Sequence, residues 1–207
     1  NDNLEYRNKP LIVVPCISDY TCAIAASYQA KRLGVKTGTR VSVAREKIPG
    51  LIICEARPKR YVEVHNKIVE VLSSAFKKVQ VLSIDEMACE INEEDDFSCE
   101  MIAALLKLDF MDAFGETITC SIGVAPNVFL AKVASDMNKP NGFTAIDYNV
   151  KTKISKLDLT DLPGIADRME ARLNKSKIKT IEDLYSFDEI RLKKAWGSIV
   201  GQRWYHM

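Results

Sequence analysis

The sequence predicts an α/β fold up to about residue 147, followed by an all-α region. Short apolar runs typical of strands alternate with segments of helical periodicity in the first part, and the strand signals stop after residue 148. Residues 58–124 follow the order helix–strand–strand–helix–strand, which resembles a split βαβ sheet backed by helices. Hydrophobic residues make up 47% of the chain and charged residues 28%, an ordinary globular composition that excludes a disordered or low-complexity protein.

The first 56 residues are predicted to contain two strands and two helices. The strands are the apolar runs 11–14 and 51–54. One helix is expected over 22–33, ending at Gly34. The other is expected over 39–47, with Thr39 as its N-cap and a Pro-Gly pair after its end.

A long helix is predicted to begin at Pro58, because proline is favoured in the first turn of a helix. Its apolar positions recur at helical spacing: Tyr61, His65, Ile68, Leu72 and Phe76. His65 lies on this stripe, so we expect a packed core or boundary residue there rather than a metal ligand.

The remaining segments alternate in the same way and then become helical. Strands are predicted over 79–84, 117–124 and 143–146, and residues 87–91 continue or reverse the first of them. Helices are predicted over 97–114, stopped by Gly115, and over 126–137. The acidic segment 93–96 is expected to be a solvated loop rather than a metal site, and 150–207 a series of short helices interrupted at Pro163-Gly164 and Gly197.

The net charge of +1 conceals a strong segregation of charge along the chain. Residues 31–60 carry nine Lys and Arg against two acids, 84–116 carry eleven acids against Lys107, and 151–207 carry twelve basic against eight acidic residues. Basic regions on both sides of an acidic centre indicate a protein that binds a polyanion around a metal-binding site. Chance clustering on solvated faces explains the same charges, so both interpretations stay open at this point.

Cysteine spacing and the length of the apolar runs argue against several classes of protein. None of the six cysteines forms a C-x-x-C pair, and the chain has just two histidines, so the sequence favours reduced intracellular thiols over a zinc site or a disulfide framework. No apolar run approaches the roughly 20 residues that span a bilayer. The polar start without Met and the helical character of the last residues predict an internal fragment without a signal peptide.

Two adjacent carboxylates follow a predicted strand. Asp85 and Glu86 come after the apolar segment 79–82, where a buried charge is costly unless a divalent cation neutralises it. In an ideal strand the two side chains face opposite sides, so joint metal binding requires a turn or a bulge at this point. Acids at strand ends are common, and the pair by itself is weak evidence for metal chemistry.

Two further segments are candidates for binding phosphate. A strand-to-helix turn at 121–127 leads into a helix after which Lys139 precedes a proline, and such a lysine can hold a phosphate as a point charge. A tight turn at 162–165 lies between helices. Its backbone amides can bind the phosphate backbone of a nucleic acid without contacting the bases. The basic residues that follow the turn are Arg168, Arg172, Lys175, Lys177 and Lys179. Plain solvated helix faces are the alternative for both segments.

Together these strings closely resemble the Y-family lesion-bypass DNA polymerases of the UmuC and DNA polymerase IV type, the ImpB/MucB/SamB family. The strings are Ser-Ile-Asp-Glu at 83–86, Ser-Ile-Gly-Val-Ala-Pro-Asn at 121–127, Ser-Asp-Met-Asn-Lys-Pro-Asn-Gly at 135–142 and Leu-Pro-Gly-Ile at 162–165. Ser-Tyr-Gln-Ala-Lys-Arg-Leu-Gly-Val at 27–35 is similar to the finger helix of that family. The similarity covers essentially the whole chain in the family order.

The resemblance implies template-directed DNA synthesis across damaged DNA, with an α/β architecture of fingers and palm followed by an all-α helix-hairpin-helix thumb. The implied domains are fingers with an incomplete N-terminal palm at 1–56, palm at 57–146 and thumb at 147–207. Asp85 and Glu86 are the implied catalytic carboxylates and ligands of two Mg²⁺ ions. The implied nucleotide contacts are Tyr28, Lys31 and Lys139, and the implied DNA contacts are Pro163, Gly164, Ile165 and Arg168.

The same resemblance implies partners and a location. The partners are primer–template DNA, dNTP and a sliding clamp, the last reached through a C-terminal domain that the chain lacks, and the location is cytoplasmic and DNA-associated. The first metal-binding motif of the family is expected upstream of Asn1. The fragment by itself is therefore expected to be inactive.

Three of the positions that depart from the family pattern support an alternative function. Lys31 replaces the usual arginine, Ala25 stands where a hydroxyl residue is frequent, and Ala166 replaces the second glycine of the thumb hairpin. The alternative is a non-catalytic DNA-binding relative of these polymerases. The retention of four family residues argues against it: Asp85, Glu86, Tyr28 and Lys139. A nucleotide cyclase on a similar palm leaves the thumb and the finger helix unexplained.

Overall fold

The computed structural model describes residues 2–91, 98–147 and 149–206. The predicted loop at 93–96 and the predicted helix start at Phe97 lie outside these residues. The chain divides into two compact units, Asn1–Cys89 and Glu90–Met207. In the described ranges, no helix is both long enough and apolar enough to cross a bilayer.

In its described residues, unit 1 combines a three-stranded sheet, a β-hairpin and three α-helices. The strands are β1 (Leu11–Val14), β2 (Ala25–Ala26), β3 (Ile52–Glu55), β4 (Val79–Val81) and β5 (Met87–Cys89), and the helices are α1 (Tyr28–Arg32), α2 (Val41–Lys47) and α3 (Pro58–Ala75), after a short 3-10 helix at Leu4–Tyr6. Strand β1 is central: it pairs antiparallel with β2 and parallel with β3. Strands β4 and β5 form an antiparallel hairpin, so residues 87–91 reverse the preceding strand rather than continue it.

The core of unit 1 is built from small and β-branched side chains around β1. Ile12 and Val14 are fully buried, as expected for alternate residues of a half-buried strand. The core cluster is Ile12, Val14, Ala23, Ala30, Val35, Val41, Ala44 and Ile48. Helices α1 and α2 each contribute alanines to it, which allow a close approach of their backbones to the sheet.

The predicted helix over 22–33 is wrong in its first half. Ala25 and Ala26 pair with β1 as a strand, because hydrogen bonding to the sheet outweighs the helical propensity of alanine. Ser27 then caps α1 by accepting a hydrogen bond from the backbone of Ala30. Helix α2 also begins later than predicted, with Arg40 at the N-cap, because the hydroxyl of Thr39 accepts from the Lys36 backbone instead.

Helix α3 begins at Pro58, as predicted, and the predicted apolar stripe is buried only in part. Leu72 is buried, and His65 and Ile68 are partly buried. Tyr61 is exposed, and Phe76 is the C-cap of the helix, with an extended backbone. His65 is therefore a boundary residue, as its position on the stripe predicts.

Unit 2 combines a two-stranded parallel sheet with a series of helices. The described elements are α4 (Cys99–Phe114), β6 (Ile122–Val124), α5 (Val128–Met137), β7 (Phe143–Ala145), α6 (Val150–Ile154), a 3-10 helix at Leu159–Asp161, α7 (Asp167–Lys175), α8 (Ile181–Ser186), α9 (Glu189–Trp196) and α10 (Ile199–Tyr205). The strand predicted over 117–124 is restricted to β6, because its ladder with β7 pairs these three residues only. Helix α5 begins at Val128 rather than Pro126, because Asn127 caps it by accepting from the Leu130 backbone.

Among the described residues of unit 2, a hydrophobic core extends from α5 to α9. Its buried residues are Leu130, Val133, Ala134, Ile146, Ile154, Leu159, Leu162, Ile165, Leu173, Ile178, Ile181, Leu192, Ala195 and Trp196. Trp204 packs against this core, with its ring 5.2 Å from the ring centroids of both Phe129 and Trp196. The short helices after residue 150 are interrupted at Gly164 and Gly197, as predicted, and both glycines have positive φ.

Candidate functional site

Asp85 and Glu86 lie in the tight turn between β4 and β5. The backbone amides of Leu82 and Ser83 both donate to the carbonyl of Glu86, at 2.9 and 3.0 Å, which closes the turn. The hydroxyl of Ser83 donates to Asp85 Oδ1 at 2.9 Å and lies 3.4 Å from the Asp85 backbone amide, which donates to it. The turn that joint metal binding requires is therefore present, with Asp85 exposed and Glu86 partly buried.

The chemistry of these two donors suits a hard divalent cation. Carboxylate oxygens are ligands that Mg²⁺ prefers, and proteins commonly bind Mg²⁺ through one or two carboxylates while water and substrate phosphates complete the coordination. Across the part of the chain that the structure describes, no group of three or more His, Cys, Asp and Glu side chains gathers in a metal-binding arrangement.

Helix α3 contacts the carboxylate turn through His65. Its Nδ1 lies 2.8 Å from the backbone carbonyl oxygen of Ile84, the residue before Asp85. The sequence predicts His65 only as a packed core or boundary residue, since nothing in the local pattern shows that α3 and the β4–β5 turn are in contact.

Tyr28 and Lys31 lie together on the exposed face of α1. The ammonium of Lys31 is 4.8 Å from the centroid of the Tyr28 ring, a cation–π arrangement across one helical turn. Ser27 fixes the start of this helix on the sheet: its hydroxyl accepts from the amides of Leu11 and Ala30 and donates to the carbonyl of Lys9. One short helix with a well-anchored start therefore presents a phenol and an ammonium side by side.

Lys139 follows α5 and forms an ion pair with Asp136. The Lys139 ammonium lies 2.6 Å from Asp136 Oδ1, and the Lys132 ammonium lies 3.0 Å from Asp136 Oδ2. Burial raises the pKa of Asp136, but the hydrogen bonds from Lys139 and Lys132 outweigh it and hold that pKa below its ordinary value. The sequence pattern did not single out Asp136, although its spacing of four and three residues from the two lysines is a usable signal of ion pairing.

The turn at 162–165 has the geometry of a type II β-turn. The Ile165 amide donates to the Leu162 carbonyl at 3.0 Å, Pro163 occupies the second position and Gly164 the third, with φ of 95°. Leu162 and Ile165 are both buried, so the two ends of the turn are anchored in the core while Gly164 is exposed. Arg168 is exposed in the first turn of α7, directly after this hairpin.

Three of the six cysteines are poorly suited to metal binding or nucleophilic chemistry. All six are free thiols in the structure. Burial raises the pKa of Cys89 to about 11 and also raises the pKa values of Cys54 and Cys120, against smaller opposing effects of Arg57 and Lys107. A raised pKa disfavours the thiolate, which is the reactive and metal-binding form.

Comparison with known proteins finds the chain similar to a family of DNA polymerases. Residues 1–136 match the family described as impB/mucB/samB, and residues 160–207 match the DNA polymerase-iota thumb domain. The chain is 34% identical over 199 residues to DNA polymerase IV of Staphylococcus epidermidis, an alignment that covers 95% of the chain and 55% of that relative. It is 32% identical over 204 residues to DNA polymerase IV of Saccharolobus solfataricus, covering 94% of the chain and 56% of the relative.

Solved structures of similar proteins cover nearly the whole chain. DinB from Sulfolobus solfataricus superposes with a TM-score of 0.82 and 30% identity, covering 98% of this chain and 60% of that one. The insertion ternary complex of Dbh DNA polymerase gives a TM-score of 0.84 with the same identity and coverage. The chain thus spans about half the length of the curated relatives that it matches.

Proposed function

The chain belongs to the impB/mucB/samB family, and from that membership we propose that it is the nucleotide-holding and primer-holding part of a Y-family DNA polymerase. The proposed reaction is template-directed DNA synthesis across damaged DNA. The observation that carries the proposal is the β4–β5 turn, which presents Asp85 and Glu86 next to each other in a string that matches the family pattern. The proposed domains are fingers at 1–56, palm at 57–146 and thumb at 147–207.

Asp85 and Glu86 are the proposed ligands of two Mg²⁺ ions. When bound, such a pair of ions activates the primer 3′-oxygen and stabilises the leaving pyrophosphate. The part played by the chain is to hold two hard oxygen donors on a turn whose backbone is closed by the Glu86 carbonyl. The hydrogen bond from Ser83 leaves Asp85 Oδ2 as the oxygen that is not used inside the turn.

Tyr28, Lys31 and Lys139 are the proposed contacts to the triphosphate of the incoming dNTP. Each offers a hydrogen-bond donor, and the two ammonium groups offset the charge that develops on the β and γ phosphates. Tyr28 and Lys31 project from the same exposed face of α1, which supports a shared ligand for them. The assignment of Lys139 to that ligand follows from the family motif alone.

The hairpin at 162–165 is the proposed contact to the DNA backbone. Gly164 leaves the outer side of the turn without a side chain, and the first-turn amides of α7 follow immediately, an arrangement that attracts phosphate oxygens. Arg168 adds an exposed positive charge beside them. Such contacts position a duplex without reading its bases, which suits an enzyme that copies sequence by template pairing.

Replacing Asp85 by asparagine tests the proposed reaction. In the complete polymerase that contains this chain, D85N should abolish primer extension, because losing one carboxylate charge removes several kcal/mol of metal-dependent stabilisation of the transition state. Primer extension on a damaged and an undamaged template measures the effect. The thermal unfolding midpoint should change little, since Asp85 is exposed.

D109N provides the matched control, because Asp109 is an exposed carboxylate on α4 outside the proposed site. It should extend primers at the wild-type rate. Wild-type extension by D85N would overturn the proposed metal site. A complete wild-type polymerase that binds primer–template DNA but never extends it would favour the alternative, a non-catalytic DNA-binding relative.

A further inference from the structure

The peptide unit between Ile84 and Asp85 is held at both of its ends. His65 Nδ1 lies 2.8 Å from the Ile84 carbonyl oxygen, and the Asp85 amide at the other end of the unit donates to Ser83 Oγ at 3.4 Å. A peptide unit is planar and does not twist about its C–N bond. Fixing its oxygen and its hydrogen therefore fixes the direction in which the chain enters Asp85.

The contact from His65 differs in kind from the other hydrogen bonds described for this turn. The bonds from Leu82, Ser83 and Asp85 all end within the turn itself, and they set its shape but not its orientation. The His65 bond spans 19 residues and joins the turn to α3, an 18-residue helix. Ile84 is 50% exposed, so burial of its own side chain contributes little to holding the turn.

The chemistry of the contact determines which ring nitrogen of His65 carries hydrogen. A backbone carbonyl oxygen can only accept, so Nδ1 must donate. In a neutral imidazole Nε2 then has no hydrogen. This is the minority form of an unconstrained neutral histidine, and it gives the contact a spectroscopic signature that mere packing would not produce.

We propose that His65 is a positioning residue, which orients the peptide unit before Asp85 through its Nδ1–H and thereby aims the carboxylates of the turn. The proposal rests on the proposed function of Asp85 and Glu86 as metal ligands. It assigns to α3 a part in the site that no carboxylate or lysine pattern in the sequence indicates. Partners that orient metal ligands in this indirect way commonly change metal affinity or activity by about tenfold or more when they are removed.

The tautomer of His65 tests the contact directly in the 207-residue chain. Long-range ¹H–¹⁵N correlation spectra at mildly alkaline pH, where an ordinary histidine is neutral, should show hydrogen on Nδ1 and a bare Nε2. The chain has two histidines, so H206Q leaves His65 as the single source of signal. A spectrum with hydrogen on Nε2 would overturn the proposal, whatever the activity of the polymerase.

Two substitutions at residue 65 separate positioning from packing. H65L removes the donor, and H65N places an amide donor where Nδ1 lies in histidine. Amide hydrogen exchange at Leu82 and Ser83 should be about threefold to tenfold faster in H65L and should return towards the wild-type rate in H65N. Equal exchange in H65L and wild type would overturn the proposal, as would failure of H65N to restore slow exchange.

Kinetics of the complete polymerase link the contact to the site. H65L should lower kcat of primer extension by about tenfold with the KM for dNTP nearly unchanged, H65N should restore most of it, and N66A, at an exposed neighbouring position on α3, should match wild type. A change confined to KM, or wild-type kcat in H65L, would refute the positioning role. Inactivity of the wild-type polymerase itself would instead refute the proposed function and leave the tautomer and exchange results as the test of the contact.

Discussion

At the scale of single residues, Asp136 determines how much charge Lys139 presents. One carboxylate is shared by two ammonium groups, at 3.0 Å from Lys132 and 2.6 Å from Lys139. The three groups together carry a net charge of +1, and the ion pair with Asp136 restrains the otherwise flexible Lys139 side chain. A phosphate ligand would therefore meet a partly neutralised and partly ordered lysine rather than a free one.

Substitution of Lys139 should weaken the use of dNTP more than the binding of DNA. A charge-assisted contact contributes about 1.5–3 kcal/mol, so K139A should lower kcat/KM for dNTP by about tenfold to a hundredfold in the complete polymerase. Steady-state kinetics against dNTP concentration measure this loss. K132A is the control, because it breaks an ion pair to the same Asp136 without removing a proposed phosphate contact.

Lys31 is predicted to act on the same ligand. K31A should also lower kcat/KM for dNTP, with Tyr28 losing its cationic neighbour. R32A, the next residue along α1 and also exposed, serves as the charge-matched control. A loss of DNA affinity with unchanged dNTP kinetics in K31A or K139A would mean that these lysines contact DNA rather than the triphosphate.

At the scale of elements, the packing of α9 against α10 depends on Gly201. A Cβ atom at this position would lie 2.2 Å from the Leu192 carbonyl oxygen and 2.9 Å from the Lys193 Cα, both backbone atoms. Neither atom can move aside as a flexible side chain does. The glycine is thus required by the close approach of the two helices, although glycine is a poor helix former.

Replacing Gly201 by alanine should therefore destabilise unit 2. The gain in helical propensity is about 1 kcal/mol, and the overlap with several backbone atoms should cost more, about 2–3 kcal/mol, so G201A should lower the thermal unfolding midpoint. Circular dichroism of the 207-residue chain measures the shift. R203A, an exposed position on the same helix, should change the midpoint little, and a midpoint raised by G201A would contradict the close helix–helix contact.

At the scale of the whole molecule, the segregation of charge along the chain predicts which region binds DNA. Residues 151–207 carry twelve basic and eight acidic residues, a net charge of +4. We expect the 207-residue chain to bind primer–template DNA weakly, and we propose that Asp85 and Glu86 alone do not hold the two metal ions that primer extension requires. Robust extension by this chain alone would show that its metal site is complete.

The salt dependence of that binding distinguishes a DNA-binding surface from a merely solvated one. With about 3–4 phosphate contacts, log K should fall against log salt concentration with a slope of roughly −3. Fluorescence anisotropy with a labelled duplex gives this slope. R168A should reduce it by about one, whereas R191A should not, since Arg191 is already paired with Asp188. No binding even at low salt would contradict the proposed thumb contact.

The sequence by itself determined the family and most of the helices and strands. Local signals were sufficient where one residue type decides the outcome: Pro58 at the start of α3, Gly115 at the end of α4 and the Pro-Gly turn after Leu162. The adjacent carboxylates at 85 and 86 were also visible, since charge next to an apolar strand stands out in any reading of the chain.

Other features were decided by tertiary structure alone, because they depend on partners distant in sequence. Ala25 and Ala26 form a strand instead of a helix since β1 offers them hydrogen bonds. The close contact between Gly201 and the backbone of α9 becomes evident only when α9 is packed beside α10. The role of His65 arises from a carbonyl 19 residues away, and periodicity along a helix shows which face is apolar but not which backbone atom that face will meet.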